Sequence, residues 1–159
     1  MATTIQFTDP TYMEAVYAAL LNQLKTATFG GGIKLVTAER VIEPPQQIAS
    51  ANQPALVLIN GPVRVEQKEF ALGKWTFTAV AAVYLWAEED QAPLAATQAN
   101  YVVWGLQAAL LRTDRGQYEK QTLGGLVYHC WVEGDVLTEV QAQQVVITVP
   151  IMILAGPNG

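Results

Sequence analysis

One segment, from Trp75 to Trp86, constrains the fold of this chain more than any other. It contains no charged residue. Successive side chains of a β-strand point to opposite faces, and here both faces are largely apolar. One face carries Trp75, Phe77, Ala79, Ala81, Val83 and Leu85, and the other carries Thr76, Thr78, Val80, Ala82, Tyr84 and Trp86. The segment therefore predicts an interior strand, covered by helices on one face and by a neighbouring subunit on the other.

The whole chain shares this shortage of charge. Of its 159 residues, 51% are apolar and only 14% are charged, whereas about 25% of residues are charged in a typical soluble domain. Disordered chains have the opposite composition, with low hydrophobicity and high charge, so disorder is excluded. The length suits one domain. So much apolar character without a membrane segment favours a protein that associates with copies of itself.

Two helices are predicted from apolar residues at helical spacing. The first spans about residues 10–27, because Asp9-Pro10 is typical of a helix start and Gly30-Gly31-Gly32 ends it. The second spans about residues 93–111, and its apolar stripe runs from Leu94 to Leu110. The stripe of the first helix consists of Met13, Val16, Tyr17, Leu20, Leu21 and Leu24.

Short apolar runs between turn residues predict further strands, at 55–59, 126–132 and 144–154. Pro150 has no N–H to donate, so we expect the last strand at a sheet edge or bulged at that residue. Two helices are too few to cover both faces of a sheet. The expected fold is therefore α+β, with two helices packed on one face of a mostly antiparallel or mixed sheet. It forms a single domain over residues 1–159, with a frayed tail at 155–159.

Charge and hydropathy exclude several classes of protein. The net charge is −5, and all of that excess lies in residues 81–159. No cluster of Lys and Arg could neutralise phosphates, so sequence-specific binding of nucleic acid is not an expected role. The densest apolar run, Val145–Ala155, is too short for the roughly 20 residues that a membrane-spanning helix needs. Because there is no signal-peptide pattern and only one cysteine, we expect a cytoplasmic protein without an internal disulfide.

His129 and Cys130 are the only histidine and cysteine, and thus the candidates for nucleophilic chemistry. Adjacent strand residues point to opposite faces, so a catalytic Cys–His pair is not expected. One histidine and one cysteine cannot supply a set of soft metal ligands. The Gly30-Gly31-Gly32 loop follows a helix, the reverse of the order in a phosphate-binding loop. The sequence therefore predicts no enzyme activity, no catalytic residue, no cofactor and no metal.

Two of the four tryptophans are predicted to contact a partner. Trp75 and Trp86 are eleven positions apart, so they lie on opposite faces of one strand. They cannot both fill the core under the helices, which leaves Trp86 for an interface. Trp104 lies two positions from Leu106, on the side of the second helix away from the core stripe. Since tryptophan is enriched at interfaces, we expect Trp86, Trp104 and the loop around Pro44-Pro45 to make subunit contacts.

Several short segments form a pattern over about residues 5–155. They are Leu20-Leu21-Asn22-Gln23-Leu24, Pro54-Ala55-Leu56-Val57-Leu58, Trp75-Thr76-Phe77, Trp104-Gly105-Leu106-Gln107-Ala108-Ala109-Leu110, Gln121-Thr122-Leu123-Gly124-Gly125-Leu126, Val132-Glu133-Gly134-Asp135 and the run from Val145 to Leu154. In this order, they resemble the tail terminator, or tail completion, proteins of long-tailed bacteriophages.

The resemblance implies an α/β subunit of a hexameric ring in the virion, at the head-proximal end of the tail, assembled in the host cytoplasm. Such a ring caps the tail tube protein, stops tail polymerisation and offers a docking surface to neck or head-completion proteins. It implies no cofactor and no catalytic residue. Two predicted loop tips, Glu66-Gln67-Lys68 and the acidic run Glu88-Glu89-Asp90, are expected to touch these partners.

Two alternatives remain open. One is a different neck or head-completion protein of similar size. The other is a small cytoplasmic enzyme or ligand-binding domain, which would need an apolar pocket with converging polar groups beside His129.

Overall fold

The computed structural model describes residues 9–46, 48–68, 71–86, 92–141 and 144–156. The helices in these ranges are α1 (Tyr12–Leu24) and α2 (Ala92–Leu110), with a 3-10 turn at Ser50–Asn52. The strands are β1 (Thr37–Val41), β2 (Ala55–Lys68), β3 (Ala71–Trp86), β4 (Arg112–Asp114), β5 (Gln117–Glu119), β6 (His129–Val132), β7 (Leu137–Gln141) and β8 (Gln144–Ala155).

Six of these strands form one mixed sheet in the order β1-β2-β3-β8-β6, and β7 pairs with β8 as well. The β1–β2 pair is parallel, whereas the β2–β3, β3–β8, β6–β8 and β7–β8 pairs are antiparallel. Strands β4 and β5 form a separate two-stranded hairpin after α2. The predicted α+β fold with a mixed sheet is confirmed.

Both helices bury their apolar stripes in one core cluster on the same sheet face. Val16 and Leu20 of α1 and Leu106 of α2 are fully buried there. Full burial of one such side chain contributes roughly 1.5–3 kcal/mol. Helix α1 is shorter than predicted at both ends. The Asp9 carboxylate accepts the backbone N–H of Thr11 at 2.8 Å, so it closes the turn ahead of the helix.

Strand β3 is the interior strand that the sequence predicts, with β2 on one side and β8 on the other. Phe77, Val83 and Leu85 face the helices and are buried. On the opposite face, Tyr84 is buried with β2 and β8 residues in a second, smaller cluster, against which Ile48 packs. The chain's own loop therefore covers this end of the second face, and the expected cover by a neighbouring subunit is wrong there.

Side-chain hydrogen bonds hold that covering loop on the sheet. The Tyr84 hydroxyl donates to the Pro45 carbonyl at 2.6 Å. The Gln144 side-chain amide donates to the Gln46 carbonyl at 2.8 Å, and Gln53 donates to the Ile48 carbonyl at 2.8 Å. The Tyr84 and Gln144 bonds join loop carbonyls to side chains of the sheet that are far away in the chain. The Gln53 bond lies within the loop segment itself.

Pro150 lies in β8, and the prediction of a sheet edge or a bulge at this residue is wrong, because the register with β3 runs through it without a shift. Strand β8 is paired on both sides, with β3 on one side and β6 and β7 on the other. The Pro150 carbonyl accepts the Glu133 N–H at 3.2 Å, so its backbone points towards the β6–β7 side. In an antiparallel ladder, a residue's N–H and carbonyl point to the same neighbour. The position of the missing Pro150 N–H therefore faces the gap between the end of β6 and the start of β7, and no hydrogen bond of the sheet is lost.

Two further boundaries differ from the prediction. Strand β3 begins at Ala71, before Trp75, so it pairs with β2 to form a long hairpin arm. Ala155 is the last residue of β8 and is fully buried, so the frayed tail predicted from residue 155 is wrong at its first position. Residues 157–159 of that tail lie outside the described residues.

Candidate interaction surfaces

His129 and Cys130 begin strand β6 and point to opposite sides, as the sequence predicts. Cys130 is fully buried, and burial raises the pKa of its thiol to about 12. The thiol is therefore protonated near neutral pH and is not a nucleophile. His129 is half-buried, and its ring stacks on Trp131 with 4.8 Å between the ring centroids.

The His129 ring is held in one orientation. Its Nδ1 accepts the backbone N–H of Gln121 at 3.1 Å, and the Gln121 carbonyl accepts the Cys130 N–H at 2.9 Å. Burial lowers the pKa of His129. A neutral ring that accepts at Nδ1 carries its proton on Nε2. These bonds tie the segment before β6 to the strand, which is a structural role.

A groove of about 280 Å³ opens beside His129. It lies between the end of α2, the β4–β5 hairpin and β6, and we refer to it as the hairpin groove. Its walls are largely apolar, and the charged residues among them are Glu119 and Lys120. The residues that define it here are Leu110, Leu111, Tyr118, Lys120, His129 and Trp131.

The β4–β5 hairpin that forms one wall has no buried face. Every residue of both strands is exposed, and Tyr118 is 75% exposed. Its turn, Arg115-Gly116, has positive φ at both residues, which suits a two-residue hairpin loop. An isolated two-stranded hairpin is marginally stable in water. Because neither face of this hairpin is buried, it would gain stability from a packing partner.

The outer surface of α2 is the second unusual feature. The helix contains no charged residue, and Trp104 on this surface is 71% exposed, as predicted. Tyr101, one turn earlier, packs on the glycine loop, where a Cβ at Gly30 would lie 2.6 Å from the tyrosine ring. Trp104 is three residues before Gln107, a further residue of the groove lining. Residues three apart share a helix face, so Trp104 borders the hairpin groove.

The other residues predicted to contact partners lie elsewhere. Glu66 is exposed in β2, 3.3 Å from Arg64. Gln67 and Lys68 end the same strand, at the outer end of the β2–β3 arm and not in a loop, and nothing is described of their side chains. Trp86 is 40% exposed at the end of β3. The run Glu88-Glu89-Asp90 lies outside the described residues.

Some exposed apolar residues were not singled out from the sequence. Ile42, directly after β1, is 84% exposed, and Val36 before β1 is also exposed. Tyr118 and, on β7, Leu137 and Val140 belong to the same group. Each stands in a short segment among polar residues, where no periodic pattern marks a side chain as outward-facing.

Neither a metal site nor a membrane helix is found in the part of the chain that is described. No group of three or more His, Cys, Asp or Glu side chains within the described ranges could hold a metal ion. Among the described helices, none combines the length and the apolar character that crossing a membrane requires.

Comparison with known proteins gives a likeness at the level of the fold. No family model matches the chain, and no curated protein matches it. Among solved structures, it is similar to a chain in the virion of a native gene transfer agent particle, with 15% sequence identity and a TM-score of 0.54. The match covers 93% of this chain and 99% of the other. The two proteins therefore share a fold over nearly their whole lengths.

Proposed function

We propose that this chain is a structural protein of a phage-like virion, and specifically the subunit of a hexameric ring that caps the tail tube. The observation that carries the proposal is the fold shared, over 93% of this chain, with a chain of a gene transfer agent virion. The sequence resemblance to tail terminator proteins supports the position at the head-proximal end of the tail. The proposed partners are copies of the chain itself, the tail tube protein and a neck or head-completion protein.

The exposed apolar surface supports permanent assembly. Trp104, Tyr118 and Ile42 are each more than two-thirds exposed in a single copy. Large apolar patches on soluble proteins mark interaction sites. A ring that stacks on a tube would cover such residues, which accounts for a chain with only 14% charged residues.

The mechanism is geometric and needs no catalysis. Side-to-side contacts between different surfaces close a ring when the rotation between subunits divides a full turn. One face of the ring copies the stacking surface of the tube, and the other does not, so growth ends there. We place Glu66-Gln67-Lys68 and Glu88-Glu89-Asp90 at the surfaces that meet the tube and neck proteins.

Removal of the protein from a particle-producing strain tests this function. Loss of a tail terminator leaves tails of uncontrolled length without heads. Loss of a neck or head-completion protein leaves tails of normal length, and that outcome would assign the chain to the alternative. Alanine at all three positions of Glu88-Glu89-Asp90 should impair tail length control or head joining, and normal particles would contradict the role of that run.

A ligand-binding or enzymatic function is favoured by one observation, the groove beside His129. The buried Cys130 thiol is protonated near neutral pH, so it supplies no thiolate nucleophile to such a site. A small-molecule activity of the purified protein that is lost in His129→Ala would support this alternative, and binding of no small molecule at this groove would count against it.

A further inference from the structure

The hairpin groove is a binding site that its own chain leaves open. One wall is the fully exposed β4–β5 hairpin, and the opposite wall is β6, with Trp131 and His129. Tyr118 pairs with Thr113 across the hairpin, so these two side chains share a face. The Asp114 carboxylate belongs to the other face, and Glu119, which also lines the groove, lies opposite Arg112 across the hairpin. An apolar side chain entering the groove would give the Tyr118 face the packing it lacks.

Charge distinguishes this hairpin from the rest of its half of the chain. Arg112, Arg115 and Lys120 are the only cations in residues 81–159. Arg112 lies opposite Glu119 in the hairpin register. Arg115 at the turn and Lys120 at the groove make no ion pair with any described residue. A partner that fits the groove should therefore present carboxylates beside an apolar side chain.

The strand at the other side of the sheet presents that combination. We refer to Val36, Glu39, Ile42 and Glu43 as the β1 edge. Ile42 is 84% exposed, more than any other large apolar residue described. Glu39 and Glu43 are exposed and make no ion pair with a described residue, whereas Arg40 between them is bound by Glu14 at 2.7 Å. The edge is thus apolar and acidic.

The two surfaces cannot meet within one copy. Strand β1 and strand β6 are at opposite ends of the order β1-β2-β3-β8-β6. Strands are spaced about 4.8 Å apart, so four steps place these edges about 19 Å apart. A contact between them must join two copies, and it joins different surfaces. Repetition of such a contact closes a ring if the rotation fits.

We propose that Ile42 of one copy inserts into the hairpin groove of the next, with Glu43 and Glu39 beside Lys120 and Arg115. The inference rests on the proposed ring and identifies its side-to-side contact. The acidic segment 133–139 offers a different docking place for the hairpin, but it lies on the same side of the sheet as β6. A contact there would use two neighbouring patches of one sheet edge, which suits a reciprocal pair of copies better than a ring.

Two single variants and their mixture test the contact. Ile42→Asp destroys the β1 edge, and Tyr118→Asp destroys the groove, while both residues are exposed and their loss should leave the fold intact. Each variant alone should be monomeric by light scattering. An equimolar mixture has one intact edge and one intact groove, so it should give twice the monomer mass and no ring. Val140→Asp, at an apolar β7 residue that is 71% exposed, is the matched control and should still form rings.

The outcomes separate this inference from the proposed function. If the wild type forms rings and Ile42→Asp or Tyr118→Asp forms them too, the proposed contact is overturned but the proposed ring is not. A mixture that stays monomeric would also overturn the contact. So would a Val140→Asp variant that forms no ring although its circular dichroism is unchanged. A wild-type protein that forms no ring would overturn both.

A charge exchange tests the polar part of the contact. Glu43→Lys and Lys120→Glu should each weaken assembly by up to about fivefold, because exposed ion pairs contribute little. The double variant should recover most of that loss. A double variant that assembles no better than the single variants would overturn the pairing of these two residues.

Discussion

Cys130 and His129 are neighbours in the chain, but strand alternation gives them different surroundings. The thiol is enclosed in the core, where burial raises its pKa to about 12. The imidazole is half-buried beside the hairpin groove and accepts a backbone N–H at Nδ1. Both residues therefore serve the fold, and the surface chemistry of this region comes from Tyr118 and Lys120.

The first prediction concerns pH and His129. Burial lowers its pKa in the folded state, so the unfolded chain binds a proton first as the pH falls below about 6.5. His129 therefore contributes stability that is fully present above that value and is lost as the pH falls through the folded pKa. Urea unfolding at pH 7.5 and 5.5 should show the wild type losing stability relative to His129→Gln. A constant difference between the two proteins would contradict this account.

The second prediction concerns Tyr84, whose hydroxyl donates to the Pro45 carbonyl. Tyr84→Phe keeps the buried ring but leaves that carbonyl without its donor. It should lower the free energy of unfolding by about 1 kcal/mol and speed amide exchange in the loop that follows β1. Tyr101→Phe, at an exposed tyrosine of α2, is the control and should change stability little. Equal effects of the two substitutions would show that the loop bond is not a stabilising contact.

At the scale of elements, hydrophobic periodicity explains what could be predicted from the sequence. Both helices and the buried parts of β2, β3 and β8 have long apolar patterns, and the structure places them within a few residues of the prediction. Strand β1 pairs in parallel with β2 through a short, half-exposed segment, which has no such pattern. The prediction for Pro150 is wrong because a proline fits inside a sheet where its missing N–H faces a gap in the neighbouring strands. Here that gap lies between the end of β6 and the start of β7.

The third prediction concerns the bulge at Gly61 in β2. The register with β3 shifts between Asn60 and Val63, and a Cβ at Gly61 would lie 2.9 Å from the Thr78 carbonyl oxygen. Backbone cannot move aside as a side chain can, so Gly61→Ala should destabilise the protein by about 1–3 kcal/mol. Asn60→Ala, at the exposed neighbouring residue, should cost less. Urea denaturation of both variants measures the difference, and equal stability would show that the bulge has room for a side chain.

At the scale of the whole molecule, the candidate surfaces combine residues that are distant in sequence. Trp104 could be predicted as exposed, because it lies off the core stripe of a strongly periodic helix. The hairpin groove could not, since it needs α2, the hairpin and β6 to come together. The β1 edge likewise becomes visible only once β1 is known to end the sheet. Tertiary pairing, and not local pattern, decides both.

The fourth prediction concerns Trp104 in assembly. Trp104→Ser removes a large exposed apolar side chain next to the hairpin groove, so it should raise the fraction of monomer without lowering the melting temperature. Val65→Ser, at an exposed apolar residue of the β2–β3 arm, is the matched control. Analytical ultracentrifugation measures both. Unchanged assembly of Trp104→Ser would remove this tryptophan from the subunit contacts.

The mass and shape of the purified wild-type protein test the central claim most directly. Light scattering at micromolar concentration and near-physiological salt, combined with negative-stain imaging, reports both. We expect six times the monomer mass and closed rings with a central hole. A monodisperse monomer without rings in the images would contradict the account.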